Sequence, residues 1–121
     1  MRTLKILVID DDEIICTLLQ ALLTKYGHQV ITHTSPQQGV AAARNGQFDL
    51  ALLDIRMPGL NGIEALKQLR PLLPKARFVM ITGLAEDEMV GEAFSHGASL
   101  CLAKPVNPQK LDELLSTLFP D

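Results

Sequence analysis

Short apolar runs alternate along this chain with segments whose hydrophobic residues recur every three or four positions. The first run, Leu4 to Ile9, predicts a strand. A helix over about Asp12 to Tyr26 follows, with Ile15, Leu18, Leu19 and Leu22 as its apolar stripe and Gly27 as its stop. Gln29 to Thr32 predicts a second, weaker strand. In "SPQQGVAAARNG", Ser35 suits the N-cap, Pro36 the first helical position and Gly46 the stop. "FDLALLD" predicts a third strand, apolar on both faces, and Ile63, Leu66 and Leu69 give the next helix its buried side, with Pro71 and Pro74 expected to end it. "RFVMIT" predicts the fourth strand, Glu86 to His96 a helix closed by Gly97, and "SLCLA" the fifth strand. Asn107 and Pro108 open a last helix, on which Leu111, Leu114, Leu115 and Leu118 share a face.

Five strands alternating with five helices define an α/β, doubly wound fold. Strands that lack polar alternation are buried on both faces, as in a parallel sheet covered by helices on either side. The length of 121 residues suits one domain over 1–121 and leaves no room for a second. A net charge of -3 offers no basic stripe for nucleic-acid phosphates, so direct nucleic-acid binding is not expected. Nine residues precede the first acid, too few for a signal peptide, and no run reaches membrane-spanning length; the expectation is a soluble, cytoplasmic protein without membrane insertion. Cys16 and Cys101 lack the spacing of a zinc or redox pair and read as reduced core thiols.

In such folds function gathers outside the carboxyl ends of the strands. That edge collects Asp10 and Asp11 after the first strand, Asp54 at the end of the third, Thr82 at the end of the fourth and Lys104 just past the fifth. Converging carboxylates repel one another and must share a cation or a proton, or be relieved by solvent. An oxygen-rich set without His or Cys points to Mg²⁺. Beside such an ion a carboxylate can act as nucleophile towards a phosphoryl group, and Asp54, alone at a buried strand's end, is the best placed. Lys104 and Thr82 fit as the fixed cation and the short hydroxyl donor for phosphoryl oxygens. Asp12 and Glu13 read as a helix opening, where negative charge is favoured. His28, His33 and His96 have no metal spacing and are expected to face solvent, and Glu86, Asp87 and Glu88 read as another helix-opening cluster.

The same residues carry a resemblance. "VIDDDE", "LLDIRMPGLNG", "MIT" and "AKP" resemble, in order and at the expected intervals, the receiver domain of two-component response regulators, the family that includes single-domain chemotaxis regulators. The resemblance covers essentially the whole chain. It implies a flavodoxin-like sheet in the order 2-1-3-4-5, and phosphorylation of Asp54 by a sensor histidine kinase or a histidine phosphotransfer protein. It further implies Mg²⁺, with Mn²⁺ as a substitute, held by Asp11, Asp54 and the backbone carbonyl of Arg56, with Asp10 acting through metal-bound water. Lys104 would pair with the phosphate, Lys104-Pro105 would be cis, and Met57, Pro58, Gly59 and Gly62 would shape the loop beyond the acceptor. Output would pass to a target protein through the fourth helix and fifth strand, with dimerisation as a further outcome.

One position departs from the family. Receivers usually carry Tyr or Phe three residues before the lysine, where this chain has Cys101, so a differently wired switch is expected. Arg56 and Leu84 occupy the positions that tune phosphate lifetime and imply slow self-hydrolysis. Two other functions compete. A haloacid-dehalogenase-type phosphotransferase would need a second Asp two residues beyond the nucleophile, where Arg56 stands. A pseudo-receiver, binding proteins without phosphorylation, is the alternative that Cys101 keeps open.

Overall fold

In the computed structural model, which describes residues 2–83 and 88–120, strands and helices alternate throughout. They are β1 (Lys5–Ile9), α1 (Glu13–Lys25), β2 (Gln29–His33), α2 (Pro36–Arg44), β3 (Leu50–Asp54), α3 (Gly62–Leu72), β4 (Arg77–Thr82), α4 (Met89–Ser95), β5 (Leu100–Ala103) and α5 (Pro108–Leu118). The strands pair in parallel in the order β2-β1-β3-β4-β5, as expected. Parallel neighbours require a crossover, and α1 to α4 each lie in one, while α5 follows the last strand.

Successive residues of the central strands serve opposite layers. Leu7, Ile9, Ala51, Leu53, Phe78 and Met80 pack in the layer that contains Val40, Leu66 and Ala93 from α2, α3 and α4. Ile6, Val8, Leu50, Leu52, Val79 and Ile81 pack instead with Leu19 of α1 and Leu111 and Leu115 of α5. Each of the larger side chains, Val, Leu, Ile, Phe or Met, contributes about 1.5–3 kcal/mol when fully buried, which fixes the register in both directions. The polar ends of β1, β3 and β4 are therefore held at one level. No helix among the described residues is long and apolar enough to cross a membrane.

Side chains cap four helices, at Asp12, Ser35 and Asn107 where the sequence predicts a helix opening and at Asn61 where no cap was predicted. Asp12 accepts from Ile14 N, Ser35 from Gln38 N, Asn61 from Glu64 N and Asn107 from Gln109 N and Lys110 N. Gly27 takes a φ of 94° where α1 turns into β2, a conformation that favours glycine. Lys104-Pro105 is cis.

Four expectations need correction or limits. Pro71 does not end its helix: α3 continues through it to Leu72. A proline at the penultimate position forfeits a single backbone bond, and Leu73 N still reaches Leu69 O at 2.8 Å. Leu18 is 39% exposed, because the buried side of α1 centres on Leu19 with Cys16 and Leu23. The fourth helix is described from Met89, not Glu86; Leu84, Glu86 and Asp87 lie outside the described residues. His28 does not face solvent: it is only 5% exposed, and its Nδ1 accepts the Leu4 backbone N–H at 3.0 Å. His33 is half-buried and His96 exposed.

The His28 contact has a pH consequence. Burial first, then the charge of the chain's amino terminus, lowers the pKa of His28 from its ordinary 6.5. An acceptor Nδ1 also requires the neutral ring. The unfolded chain therefore takes up a proton that the folded protein refuses, and stability present above pH 6.5 is lost as pH falls below it. Thermal melting is expected to show a drop over this range that is smaller in His28→Asn, whose amide oxygen can replace the acceptor. An equal drop in both proteins would overturn the assignment.

Candidate functional site

The sheet register brings the predicted residues together. Ile9 pairs with Leu53, Asp54 with Ile81 and Thr82 with Ala103, so Asp10, Asp54, Thr82 and Lys104 emerge side by side. Backbone bonds extend this alignment beyond the strands: Asp10 N to His33 O at 3.2 Å, Ile55 N to Ile81 O at 2.9 Å and Lys104 N to Thr82 O at 2.8 Å. Asp11, Asp12, Asp54, Arg56, Thr82, Gly83 and Lys104 line a cleft of about 300 Å³.

The two acids that follow β1 differ in surroundings. Asp10 is wholly buried; its Oδ1 accepts from Asp12 N at 2.9 Å, and its Oδ2 lies 3.2 Å from Lys104 Nζ. Asp11 is exposed at the cleft. Lys104 Nζ also reaches Asp54 Oδ2 at 3.4 Å, while Asp54 Oδ1 accepts weakly from Arg56 N at 3.4 Å. Asp54 thus does not stand alone at its strand end, as its sequence position suggested. Thr82 is buried at the end of β4. Gly62 lets α3 approach β3, since a side chain there would collide with the Asp54 carbonyl oxygen.

Charge is unevenly balanced in this cleft. Burial and then the Asp10 charge push Asp54, only 4% exposed, from 3.8 up to about 7; a hydrogen bond with the Asp11 side chain adds to this, and Lys104 and the Arg56 N–H oppose it. Burial works against the Lys104 ammonium, but Asp10 and Asp54 together outweigh it and raise its pKa above the ordinary lysine value. One cation is thus shared between two buried carboxylates, with a third acid close by.

That donor set suits a hard divalent cation. One oxygen each from Asp10, Asp11 and Asp54 lies within 4.8 Å of the others. Oxygen donors of this kind match Mg²⁺ or Ca²⁺ and not a thiolate-seeking metal. Cys16 is adjacent, yet burial and then Asp10 push its thiol up to about 11, and it remains a protonated donor to Asp10 O at 3.2 Å. Neither this brace nor the Asp10–Lys104 pair was foreseen. Helical spacing put Cys16 on the buried side of α1, but nothing in the sequence named its acceptor.

A profile of the response regulator receiver domain matches residues 6–116, and the chain belongs to that family, whose members are signalling modules. It is 39% identical over 110 residues to the transcriptional regulatory protein ZraR of Salmonella typhimurium, covering 91% of this chain and 25% of ZraR. The chain thus spans about a quarter of that relative's length. The chemotaxis protein CheY4 of Vibrio cholerae superposes with a TM-score of 0.91 at 28% identity, over 98% of this chain and 100% of CheY4. A Burkholderia pseudomallei response regulator, solved with a phosphorylated aspartic acid, a calcium ion and citrate, superposes with a TM-score of 0.86 at 28% identity, over 96% of this chain and 66% of that one.

The raised Asp54 pKa sets a stability test. Unfolded Asp54 ionises near 3.8, whereas the folded, metal-free protein keeps the proton to about pH 7. Its contribution to stability is lost as pH rises through that window. Asp54→Asn is expected to raise the melting temperature in chelator at about pH 8 and to do so much less at about pH 5. An equal effect at both pH values would contradict the assignment.

Proposed function

We propose that this chain is a phosphorylation-dependent switch of a two-component system or phosphorelay, with Asp54 as phosphoacceptor. The observation that carries this reading is the near-neutral, buried Asp54 carboxyl beside Lys104 and two further acids in one cleft. Asp54 attacks as a carboxylate. One oxygen forms the new P–O bond while the P–N bond to a partner's phosphohistidine breaks, and that nitrogen keeps the electron pair. A magnesium ion on Asp11, Asp54 and the Arg56 carbonyl, with Asp10 reached through water, would neutralise charge on the phosphoryl oxygens, and manganese suits the same donors. Lys104, already 3.4 Å from Asp54, supplies the fixed cation for a phosphoryl oxygen. Thr82 supplies a hydroxyl donor from the neighbouring strand. The donor is a sensor histidine kinase or histidine phosphotransfer protein, because the chain offers the acceptor carboxylate and the partner the histidine.

The output surface in this reading is α4 with β5, where Phe94 is exposed, and it serves a target protein or a second copy of the chain. Cys101 is half-buried on β5 and packs against the same core layer as Met89 and Val90. A thiol there has too little volume to relay Thr82 movement as an aromatic ring would. The switch is therefore wired differently, through the connection from β4 into α4.

Incubation with acetyl phosphate and Mg²⁺ is expected to add one phosphoryl group by intact mass, and Asp54→Asn to abolish it. Followed over time, the adduct should outlast seconds, with the Arg56 cation at the cleft rim slowing attack by water. An adduct surviving Asp54→Asn would refute the site. Failure with both small donors and a histidine kinase would favour a protein-binding module without phosphorylation. For the wiring, NMR with beryllofluoride and Mg²⁺ should show changes around the cleft without a full cooperative shift of α4 and β5; a full shift would contradict the role given to Cys101.

A further inference from the structure

Among the described residues, the opposite edge of the sheet carries the opposite balance of charge. Arg2, Asp49, Lys75, Arg77, Leu118, Phe119 and Pro120 line a second cleft, of about 490 Å³, beyond the amino ends of the strands. Its size lies within the range of small-molecule sites. Among the described residues, three cations face one carboxylate there, and that carboxylate is already engaged: Asp49 Oδ2 accepts from Lys5 N at 2.9 Å, and its Oδ1 lies 3.7 Å from Arg2. Lys75 and Arg77 are exposed and have no carboxylate partner among the described residues.

The apolar wall of this cleft is equally specific. The Arg2 guanidinium lies over the Phe119 ring, 5.7 Å from its centroid. Phe119 itself is half-buried, packed against the core layer of α1 and α5. Arg2 is a solvent-exposed residue, and a long, exposed ion pair to Asp49 restrains it little. A planar base can take its place on the ring and leave the guanidinium for an anionic group.

We propose that this basal cleft binds a mononucleotide bearing two or more phosphates, its phosphates met by Lys75 and Arg77 and its base on Phe119. Two cations lining one cleft suit linked phosphates better than a single carboxylate, and Arg77 can offer its donors as a fork. The site is separate from the acidic cleft and does not depend on phosphorylation of Asp54.

Titration of the ¹⁵N-labelled full chain with ADP in chelator, so that no divalent cation recruits the acidic edge, gives the test. Saturable amide shifts are expected around Arg77 and Phe119, with a sub-millimolar dissociation constant, and none around Asp54. The Lys75→Gln, Arg77→Gln double variant should bind at least ~10-fold more weakly while still folded, as should the native chain with pyrophosphate or adenosine alone. Three results would overturn the proposal: no saturation into the millimolar range, equal affinity for pyrophosphate and ADP, or unchanged binding by the double variant. If these cations serve only the carbonyl ends of α3 and α5, the double variant loses thermal stability and the native chain shows no ADP shifts, which also overturns it.

Discussion

The structure of the acidic edge depends on one ammonium group holding two buried carboxylates that would otherwise repel each other. Lys104 Nζ stands 3.2 Å from Asp10 and 3.4 Å from Asp54, and Asp10 has no exposure to water through which its charge could be relieved. Exposed ion pairs contribute roughly 0–1 kcal/mol, whereas removing one partner of a buried pair costs about 3–5 kcal/mol. The Lys104 side chain, 23% exposed, lies between these limits, but its partners lie at the buried one. Burial first, and then the Asp10 charge, raise the Asp54 carboxyl to about 7, and the single Lys104 ammonium offsets only part of this. The repulsion is therefore retained in the fold, where added positive charge or a change at Asp54 can relieve it.

Such an imbalance is tolerable only because the sheet below it is rigid. Strands packed on both faces cannot slip by one residue without sending a whole set of apolar side chains to the wrong layer. The register that pairs Asp54 with Ile81 and Thr82 with Ala103 is thus enforced by Leu52, Val79 and Leu102 in one layer and Leu53 and Met80 in the other. Above the strands, local bonds continue the work. Cys16 braces the Asp10 carbonyl from α1, Asp12 both caps α1 and donates its backbone N–H to Asp10, and Gly62 allows α3 to sit against the Asp54 backbone.

This division explains what the sequence could disclose. Strand ends and helix caps are local, so Asp10, Asp54, Thr82 and Lys104 could be assigned to one edge from hydrophobic runs and connection order. Side-chain partners across the sheet are not local. Chain order does not reveal that Lys104, 94 positions after Asp10, reaches it at 3.2 Å. His28 looked like a polar residue after a helix stop, yet it receives a backbone N–H from Leu4, a neighbour that exists only once β1 and β2 pair. Leu18 was misplaced for a geometric reason: it sits about 100° around α1 from Leu19, just outside the arc that meets the sheet. Pro71 was misread because its cost depends on distance from the helix end, and only one residue of α3 follows it.

The same local bonds indicate how charge at Asp54 can be felt elsewhere. Lys104 is tied to β4 through its backbone N–H to Thr82 O at 2.8 Å, and its side chain is tied to β1 and β3 through Asp10 and Asp54. In the proposed switch, a phosphoryl group on Asp54 competes with Asp10 for that ammonium. On the far side of β5, Cys101 already packs with Met89 and Val90 against the core layer. In the proposed switch, backbone displacement at the end of β4, and not the swing of a large ring, becomes the means by which the acidic cleft addresses α4.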